Sequence, residues 1–362
     1  MAETTLKVGV VGLGRIFDLN SLGYRHNPGA QIVALCDTNP DQLARRRQEF
    51  PEAFCTTDYE RFLAQKLDLI DVLTPHPSHA EMVVAALQSG AHVSVQKPMA
   101  LTLAEADRMI AAAAGAKRHL KVFENFLFYP PLVKARELLQ SGAIGRPLHF
   151  RMKMVSGAAE YGWKVDDETR RWRWELFQQG HGGGFVFDDG HHKLAVALWF
   201  FGAVRDLYAC VETTPIGNGY SVDAPASLLW RHVDPPVHAI WDITYAPKMR
   251  IRTDYYACDE RFEITGETGI IQVHRCTGRL LDEPVLTLYC DGEVTAFHNL
   301  ETDWGASFRL CTEHFVSVLR EGKGTPCLTG VEGRRVLAFQ TPPRHPLRQC
   351  IIKLTGYSRE IL

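Results

Sequence analysis

The sequence predicts an α/β fold in which a doubly wound parallel sheet is followed by a second, α+β domain with an open, mostly antiparallel sheet. Over the first third, short β-branched apolar runs alternate with helical segments, a pattern typical of parallel strands covered by helices. Later, long alternating runs dominate, separated by turn sequences such as TGETG and CDGE. These observations divide the chain into residues 1–125 and residues 126–362.

Individual segments support this division. Five runs supply the parallel strands: LKVGVVG, QIVALCD, LDLIDVLT, AHVSVQ and HLKVFEN. Between them, NPDQLARRRQEF begins with an Asn and a Pro that suit a helix start, and its arginines at 45–47 are interpreted as a solvated helix face. The segment SHAEMVVAALQSG has Ser78 at its start as a cap, and Thr102 and Glu105 stand at capping-box spacing. The second domain opens with the helix PPLVKARELLQSGAIG, and further helices are predicted near 190–201 and 307–319.

Composition excludes several classes of protein. The 362 residues are 46% hydrophobic and 23% charged with a formal net charge of -2, so no general electrostatic attraction favours nucleic acid or a membrane as a partner. The 9 cysteines are scattered without a C-x-x-C pair, which is typical of reduced thiols. We see neither a signal peptide nor an apolar run of about 20 residues, so we expect a cytoplasmic protein.

The sequence VVGLGRIF after the first strand suggests a nucleotide site. Gly12 and Gly14 allow a tight turn and close approach of the backbone to a pyrophosphate. The third position of the G-x-G-x-x-G pattern is Phe17, which predicts looser helix–strand packing. Asp37 ends the next strand, where an acid accepts both adenosine-ribose hydroxyls and repels a 2′-phosphate. We therefore predict NAD as the cofactor, in preference to NADP.

Two later loops, TPHPSH at 74–79 and VQKP at 95–98, also follow predicted strands. Ligands of a parallel sheet collect at the carboxyl ends of its strands, so both loops should face the cofactor. Lys97 lies between an apolar strand and a proline at this edge, which marks it as a candidate functional residue.

Together these segments make the chain resemble the glucose–fructose oxidoreductase and inositol dehydrogenase family, known as Gfo/Idh/MocA. The resemblance covers nearly the whole chain and rests on GLGRI, LCDTNPDQL, TPHPSHAEMVVAALQSGAHVSVQKP, ENFLFYPPL, GAIGRPL, RRWRWE, GGGFVFDDGHH and ITGETGIIQV. It implies an N-terminal Rossmann domain and hydride transfer between nicotinamide and a carbinol carbon of a sugar or cyclitol. It also implies a homo-oligomer, dimer or tetramer, formed through the C-terminal sheet.

The resemblance also assigns residues. The family's E-K-P lysine falls on Lys97, while its glutamate is replaced by Gln96, an uncharged group that still hydrogen-bonds. The D-x-G-x-H pattern falls on Asp188 and His192, which with Lys97 form the predicted catalytic set. The predicted cofactor contacts are Gly12, Gly14, Arg15, Ile16, Asp37, Thr74, Pro75, His76, His79, Gln96, Lys97, Asn125, Trp172 and Arg173.

The stretch FDDGHHKL at 187–194 carries the proposed chemistry. Asp188 and His192 are four apart and share one helix face, and a carboxylate near an imidazole makes it more basic. Histidine suits proton transfer near neutral pH, and Lys97 can stabilise a developing alkoxide. The glycines at 182–184 would let the backbone pass close to the nicotinamide. Asp189 and His191 are interpreted as structural.

A metal site is the competing interpretation of the same stretch. His181, Asp188, His191 and His192 are suitable ligand types, but adjacent helical residues diverge by about 100°, which disfavours a shared ion. We predict no metal.

Three functions are compatible with these residues. The first is an NAD-dependent dehydrogenase acting on a sugar, glycoside or cyclitol. The second is NAD-dependent glycoside hydrolysis or elimination through a transient keto sugar. The third is a non-catalytic NAD or sugar sensor, which has no need of a proton path through Lys97, Asp188 and His192.

Overall fold

The structure is a computed structural model that describes residues 5–162, 167–340 and 350–352, with the backbone alone for 167–170 and 350–352. The chain forms two compact units. Of the described residues, one unit consists of those up to Phe128 together with Gly305–Ala338, and the other of those between Tyr129 and Trp304 together with those from Phe339 on. Within the described ranges, no helix is both long enough and apolar enough to span a bilayer.

The first unit alternates strands and helices. In chain order these are β1 (Leu6–Val11), α1 (Phe17–Asn20), β2 (Ala30–Cys36), α2 (Pro40–Glu49), β3 (Phe54–Thr56), α3 (Tyr59–Leu63), β4 (Leu69–Val72), α4 (His79–Gln88), β5 (His92–Val95), α5 (Leu103–Ala116) and β6 (Leu120–Val122). The strands form a parallel sheet of order β3-β2-β1-β4-β5-β6. The predicted doubly wound sheet is confirmed, and the order reverses beside β1, where such sheets bind ligands.

Local sequence signals account for most helix starts. The Asn39 side chain accepts from the Asp41 N–H with Pro40 in the first turn of α2, and Thr102 and Glu105 form both bonds of a capping box on α5. The prediction for Ser78 is wrong, because it occupies the N-cap position of α4 without capping it. Its hydroxyl bonds to the Pro75 carbonyl and the Thr74 hydroxyl.

From Pro130 onward, strands outnumber helices. The elements are α6 (Pro130–Gln140), β7 (Pro147–Ala159), α7 (Asp167–Gln178), α8 (Phe185–Asp188), α9 (Gly190–Phe201), β8 (Val204–Val211), β9 (Thr214–Gly217), β10 (Tyr220–Val222), β11 (Ala226–His232), β12 (His238–Thr253), β13 (Cys258–Gly266), β14 (Gly269–Val273), β15 (Gly278–Arg279), β16 (Leu286–Cys290), β17 (Glu293–Phe297), α10 (Trp304–Glu321), α11 (Gly330–Gln340) and β18 (Cys350–Ile352).

The large sheet of the second unit has the order β17-β16-β14-β13-β7-β12-β11-β8-β18, with β15 beside β12. β7 and β12 pair in parallel, and the other neighbours pair antiparallel, which confirms the predicted mostly antiparallel sheet. The predicted CDGE turn is a tight hairpin, in which Asp291 and Gly292 both have positive φ (50° and 90°).

The return of the chain to the first unit departs from the predicted division at residues 125 and 126. Gly305–Ala338, predicted to belong to the second domain, joins the first unit. Phe315 and Val316 of α10 are buried in the core that contains Val8 and Val10 of β1. The Val122 N–H of β6 also donates to the Leu328 carbonyl. Long-range packing of this kind leaves no local signal, so sequence patterns could not reveal it.

Candidate functional site

The glycine turn after β1 has room for a ligand. Gly12 has a φ of +88°, and a Cβ there would lie 2.7 Å from the backbone carbon of Leu73, so no other residue fits without rearrangement. Gly14 is exposed, and a Cβ placed on it would meet no atom within 4 Å. Arg15 is exposed and Ile16 is half-buried. The backbone of this turn is therefore open to a ligand, and its predicted contact with a pyrophosphate stays a prediction.

Phe17, at the third motif position, contradicts the predicted looser packing. Its side chain is fully buried and meets the ring of Phe50 edge to face, with 5.8 Å between the centroids. The guanidinium carbon of Arg46 lies 4.4 Å from the Phe17 centroid on the ring face. The phenyl ring fills the space that a glycine would leave, so the turn is firmly packed.

Asp37 follows β2 and is bound directly to the glycine turn. Its Oδ2 accepts from the Leu13 N–H at 2.6 Å, and its Oδ1 accepts from the Asn39 N–H at 2.8 Å. These bonds hold a half-buried carboxylate beside the turn. A fixed anion here suits the two ribose hydroxyls of NAD and repels the 2′-phosphate of NADP, so the residues of this turn fit the predicted dinucleotide.

Arg46 was predicted to lie on a solvated helix face, and that prediction is wrong. It is only 1% exposed, and its guanidinium forms ion pairs with Asp18 at 2.6 Å and Glu49 at 2.7 Å. The same group donates to the carbonyls of Leu13 and Gly14, each at 3.4 Å. Arg46 therefore stabilises the glycine turn through its hydrogen bonds to these two carbonyls. A run of three arginines offers no signal that its middle member is buried.

The two loops after β4 and β5 are joined by His79. This residue is fully buried, and its ring nitrogens lie 2.8 Å from the Thr74 carbonyl oxygen and 3.1 Å from the Pro98 carbonyl oxygen. Burial lowers its pKa below the ordinary value. His79 thus holds the two loops together. Thr74 is half-buried, Pro75 exposed and His76 buried.

Gln96 and Lys97 follow β5, and Asn125 follows β6. The Gln96 amide donates to Asn20 Oδ1 at 3.0 Å and accepts from the Lys97 N–H at 3.0 Å, so both ends of the amide position the loop. Lys97 is half-buried. Asn125 is 2% exposed and donates to the Ser307 hydroxyl at 3.0 Å. The predicted cofactor contacts of these residues stay predictions.

The second unit contains a cavity of about 390 Å³. Arg173 and Asp188 line it and form an ion pair at 3.2 Å, and the Arg173 guanidinium lies 5.2 Å from the Trp172 ring centroid. Asp188 ends α8 and is 7% exposed. His192 lies in the first turn of α9, is 8% exposed and does not line this cavity. Its predicted role as a base therefore stays a prediction.

The three glycines before α8 allow close packing inside the second unit, and their predicted approach to nicotinamide stays a prediction. A Cβ on Gly183 would lie 2.1 Å from the Arg173 carbonyl oxygen, and one on Gly184 would lie 2.4 Å from Asp223 Oδ1. Gly182 and Gly183 also have positive φ values of 94° and 86°. The glycines therefore let α7 and Asp223 approach the segment that carries Asp188.

Asp189 and His191, the two residues of FDDGHHKL that are interpreted as structural, differ from each other. His191 is fully buried with its Nδ1 3.4 Å from Gln340 Oε1, a contact that suits a structural role. Asp189, also interpreted as structural, lines the cavity beside Asp188 and makes no side-chain cap to α9. Across the described ranges, no three His, Cys, Asp or Glu side chains are grouped as a metal ion would require.

Asp223 positions the start of α8. Its Oδ1 accepts from the Phe185 N–H at 2.5 Å and its Oδ2 from the Val186 N–H at 2.9 Å. It is 4% exposed, and burial, assisted by the nearby charge of Asp189, raises the pKa of this carboxyl to about 6. Nothing in the local sequence links position 223 to the helix, so this cap could not be predicted.

The raised pKa gives a pH-dependence with a definite sign. Because the folded-state pKa of Asp223 exceeds its unfolded value, its contribution to stability is complete below about pH 4 and is lost as the pH rises through about 6. From pH 4 to pH 7 the free energy of unfolding of the wild type should therefore fall relative to Asp223→Asn, by up to about 3 kcal/mol. Urea unfolding at both pH values measures this, and parallel pH profiles would contradict the assignment.

Comparison with known proteins defines the class. Residues 6–124 match a family model described as an oxidoreductase family with an NAD-binding Rossmann fold, and residues 132–272 match the Gfo/Idh/MocA C-terminal domain. The first match includes the glycine turn and Asp37, and the second includes the residues that line the cavity. The chain belongs to the Gfo/Idh/MocA family, which confirms the resemblance, and NAD is the nucleotide of that family's first domain.

Among curated relatives, D-apiose dehydrogenase of Paraburkholderia graminis is 33% identical over 244 residues, which are 67% of this chain and 61% of that protein. The 1-carboxy-3-chloro-3,4-dihydroxycyclohexa-1,5-diene dehydrogenase of Comamonas testosteroni is 35% identical over 53% of this chain and 46% of that protein. The chain thus spans about half to three-fifths of the length of these two relatives. The NAD-dependent scyllo-inositol 2-dehydrogenase of Bacillus subtilis is 26% identical over 91% of this chain and 90% of that protein.

Solved structures share the fold. Levoglucosan dehydrogenase in complex with NADH and levoglucosan superposes with a TM-score of 0.76 at 21% identity, covering 93% of this chain and 95% of that one. An oxidoreductase from Agrobacterium radiobacter, in complex with NAD+, L-tartaric acid and magnesium, superposes with a TM-score of 0.76 at 24% identity. The superposition covers 93% of this chain and 94% of that one.

Proposed function

We propose that this protein transfers a hydride between NAD and a carbinol carbon of a sugar, glycoside or cyclitol. One observation carries the proposal: Asp188 of the D-x-G-x-H sequence lies on the wall of a cavity of about 390 Å³. That volume falls within the roughly 300–1,000 Å³ of small-molecule sites. The names of the apiose and scyllo-inositol dehydrogenases support this substrate class.

The proposed roles follow from the chemistry of an alcohol. When bound, NAD supplies the hydride acceptor. His192 takes the hydroxyl proton, since an imidazole titrates near neutral pH. Lys97 donates a hydrogen bond to the oxygen as alkoxide charge develops. Asp188, held by Arg173, accepts a hydrogen bond from a neighbouring hydroxyl. In the reverse direction His192 returns the proton.

A panel of neutral monosaccharides and cyclitols with NAD tests the proposal. Absorbance at 340 nm should rise with at least one compound, and NADP should support a much lower rate because of Asp37. Tight binding of NAD without turnover of any compound would instead favour a sensor.

Glycoside cleavage through a transient keto sugar is the second candidate. It is favoured by the similarity to a glycosyl hydrolase family 109 protein of Bacteroides fragilis, which is 28% identical over 44% of this chain and 38% of that protein. The discriminating assay uses a chromogenic glycoside: release of the aglycone without net NADH would select this mechanism over simple oxidation.

Self-association through the large sheet is part of the proposal. Its strands β7, β8 and β11 expose apolar side chains, with Leu148 37%, Tyr208 36%, Val211 37% and Leu229 47% exposed. Of these, Tyr208 and Leu229 are directly paired neighbours and lie on the same face of the sheet, where we place the interface between copies. Sedimentation equilibrium should give a dimer or tetramer.

A further inference from the structure

The walls of the second unit's cavity combine flat apolar surfaces with hydroxyl groups. Five aromatic side chains line it: Trp174, Phe177, Phe185, Tyr245 and Tyr256. The hydroxyls of Ser156 and Ser221 add polar contacts. Aromatic faces cover the C–H surface of a ring-shaped polyol, and carboxylates and hydroxyls at the edge accept from and donate to its hydroxyls.

The charges at the cavity wall decide which polyols fit. Arg173, Asp188 and Asp189 are the charged residues that line it, and together they leave a net charge of −1. Arg173 is already paired with Asp188 at 3.2 Å. The carboxylate of Asp189 therefore gives the cavity its excess negative charge, which attracts hydroxyl donors and repels an anionic group.

Asp189 is held by a buried ion pair behind the cavity wall. Lys193, which is 1% exposed, pairs with Glu260 and lies 3.8 Å from Asp189 Oδ1. Glu260 also accepts from the Thr277 hydroxyl at 3.1 Å. Although burial opposes the charged form, Glu260 raises the pKa of Lys193 above its ordinary value. Because Glu260 balances the charge of Lys193, the contact with Lys193 orients the Asp189 carboxylate without cancelling the net charge of −1 at the cavity wall.

We infer that Asp189 is a substrate-binding residue that accepts a hydrogen bond from a hydroxyl of an uncharged polyol and discriminates against carboxylated analogues. The inference rests on the proposed function and narrows its substrate class, since relatives bear names of both uncharged and carboxylated compounds. It also reverses the structural role that the sequence suggested for Asp189.

The test compares neutral monosaccharides and cyclitols, each with its uronic or carboxylic acid, in wild type, Asp189→Asn and Asp282→Asn. Asp282 lies in the same unit with its side chain 75% exposed, so its variant makes the same charge change outside the cavity. Wild type should prefer each neutral compound by about tenfold or more in kcat/KM. Asp189→Asn should raise KM for neutral compounds about tenfold with little change in kcat. The ratio of kcat/KM for a neutral compound to kcat/KM for its acid should fall by a similar factor.

Titration calorimetry with the same compounds separates this inference from the proposed function. If no compound is oxidised, the proposed function fails. The inference would still be supported if the wild type binds neutral compounds more tightly than their acids, if Asp189→Asn reduces that difference in affinity, and if Asp282→Asn leaves it unchanged. The inference is overturned if Asp189→Asn leaves the preference for neutral compounds over their acids unchanged. It is also overturned if Asp282→Asn reduces that preference as much as Asp189→Asn does. Failure of the wild type to bind any neutral compound overturns both.

Discussion

Replacing His192 by alanine is expected to lower kcat for polyol oxidation by about 10²–10⁴-fold, the usual contribution of a positioned general base. An alcohol gives up its hydride readily only as its proton leaves. Without the imidazole, that proton passes to water or to a weaker acceptor. KM should change little, because the lost interaction develops mainly in the transition state.

Two controls separate proton transfer from folding. His298→Ala removes an exposed imidazole from the same unit and should leave the rate unchanged. Added imidazole should partly restore the rate of His192→Ala, and the acid limb of the pH profile should be lost. An unchanged rate in the variant, or the same acid limb, would remove His192 from the mechanism.

The second large effect is expected in the first unit, at Arg46. Arg46→Met should lower the free energy of unfolding by about 3 kcal/mol, because two carboxylates and two backbone carbonyls lose a buried guanidinium. The affinity for NAD should fall by about tenfold or more, since the glycine turn loses its support.

Arg47→Met is the matched control for this change. Arg47 is the next residue of α2 and is exposed, so its replacement should alter stability by less than about 0.5 kcal/mol and leave NAD binding intact. Urea unfolding and calorimetric titration with NAD measure both quantities. Equal effects of the two substitutions would contradict the assigned role of Arg46.

The comparison of Arg46 with Thr102 shows what local sequence can reveal. The capping box of Thr102 and Glu105 and the Asp291–Gly292 hairpin depend on residues within four positions of each other, so the sequence predicts them. The burial of Arg46 depends on Leu13 and Gly14, about 30 residues away. Short β3 also escaped prediction, because Phe54–Thr56 lies among polar residues, whereas the equally short β6 lies within the apolar run HLKVFEN.

The same distinction applies to the candidate sites. Gly12, Gly14 and Asp37 were identified because the dinucleotide pattern is compact and its spacing is fixed. Asp223 was missed, and the role proposed for Asp189 departs from the predicted structural one, because the contacts of both residues join groups that meet only in the folded unit. Position in a motif predicts a role for Asp188, whereas the proposal for Asp189 rests on charge and burial around the cavity.

Transfer of deuterium is the most direct test of the central claim. A polyol that the enzyme oxidises is labelled with deuterium at the reacting carbinol carbon and incubated with NAD, and the nucleotide product is analysed by mass spectrometry. Direct hydride transfer should give one equivalent of reduced nucleotide per oxidised polyol, one mass unit heavier than NADH. Oxidised product without reduced nucleotide, or reduced nucleotide without deuterium, would contradict it.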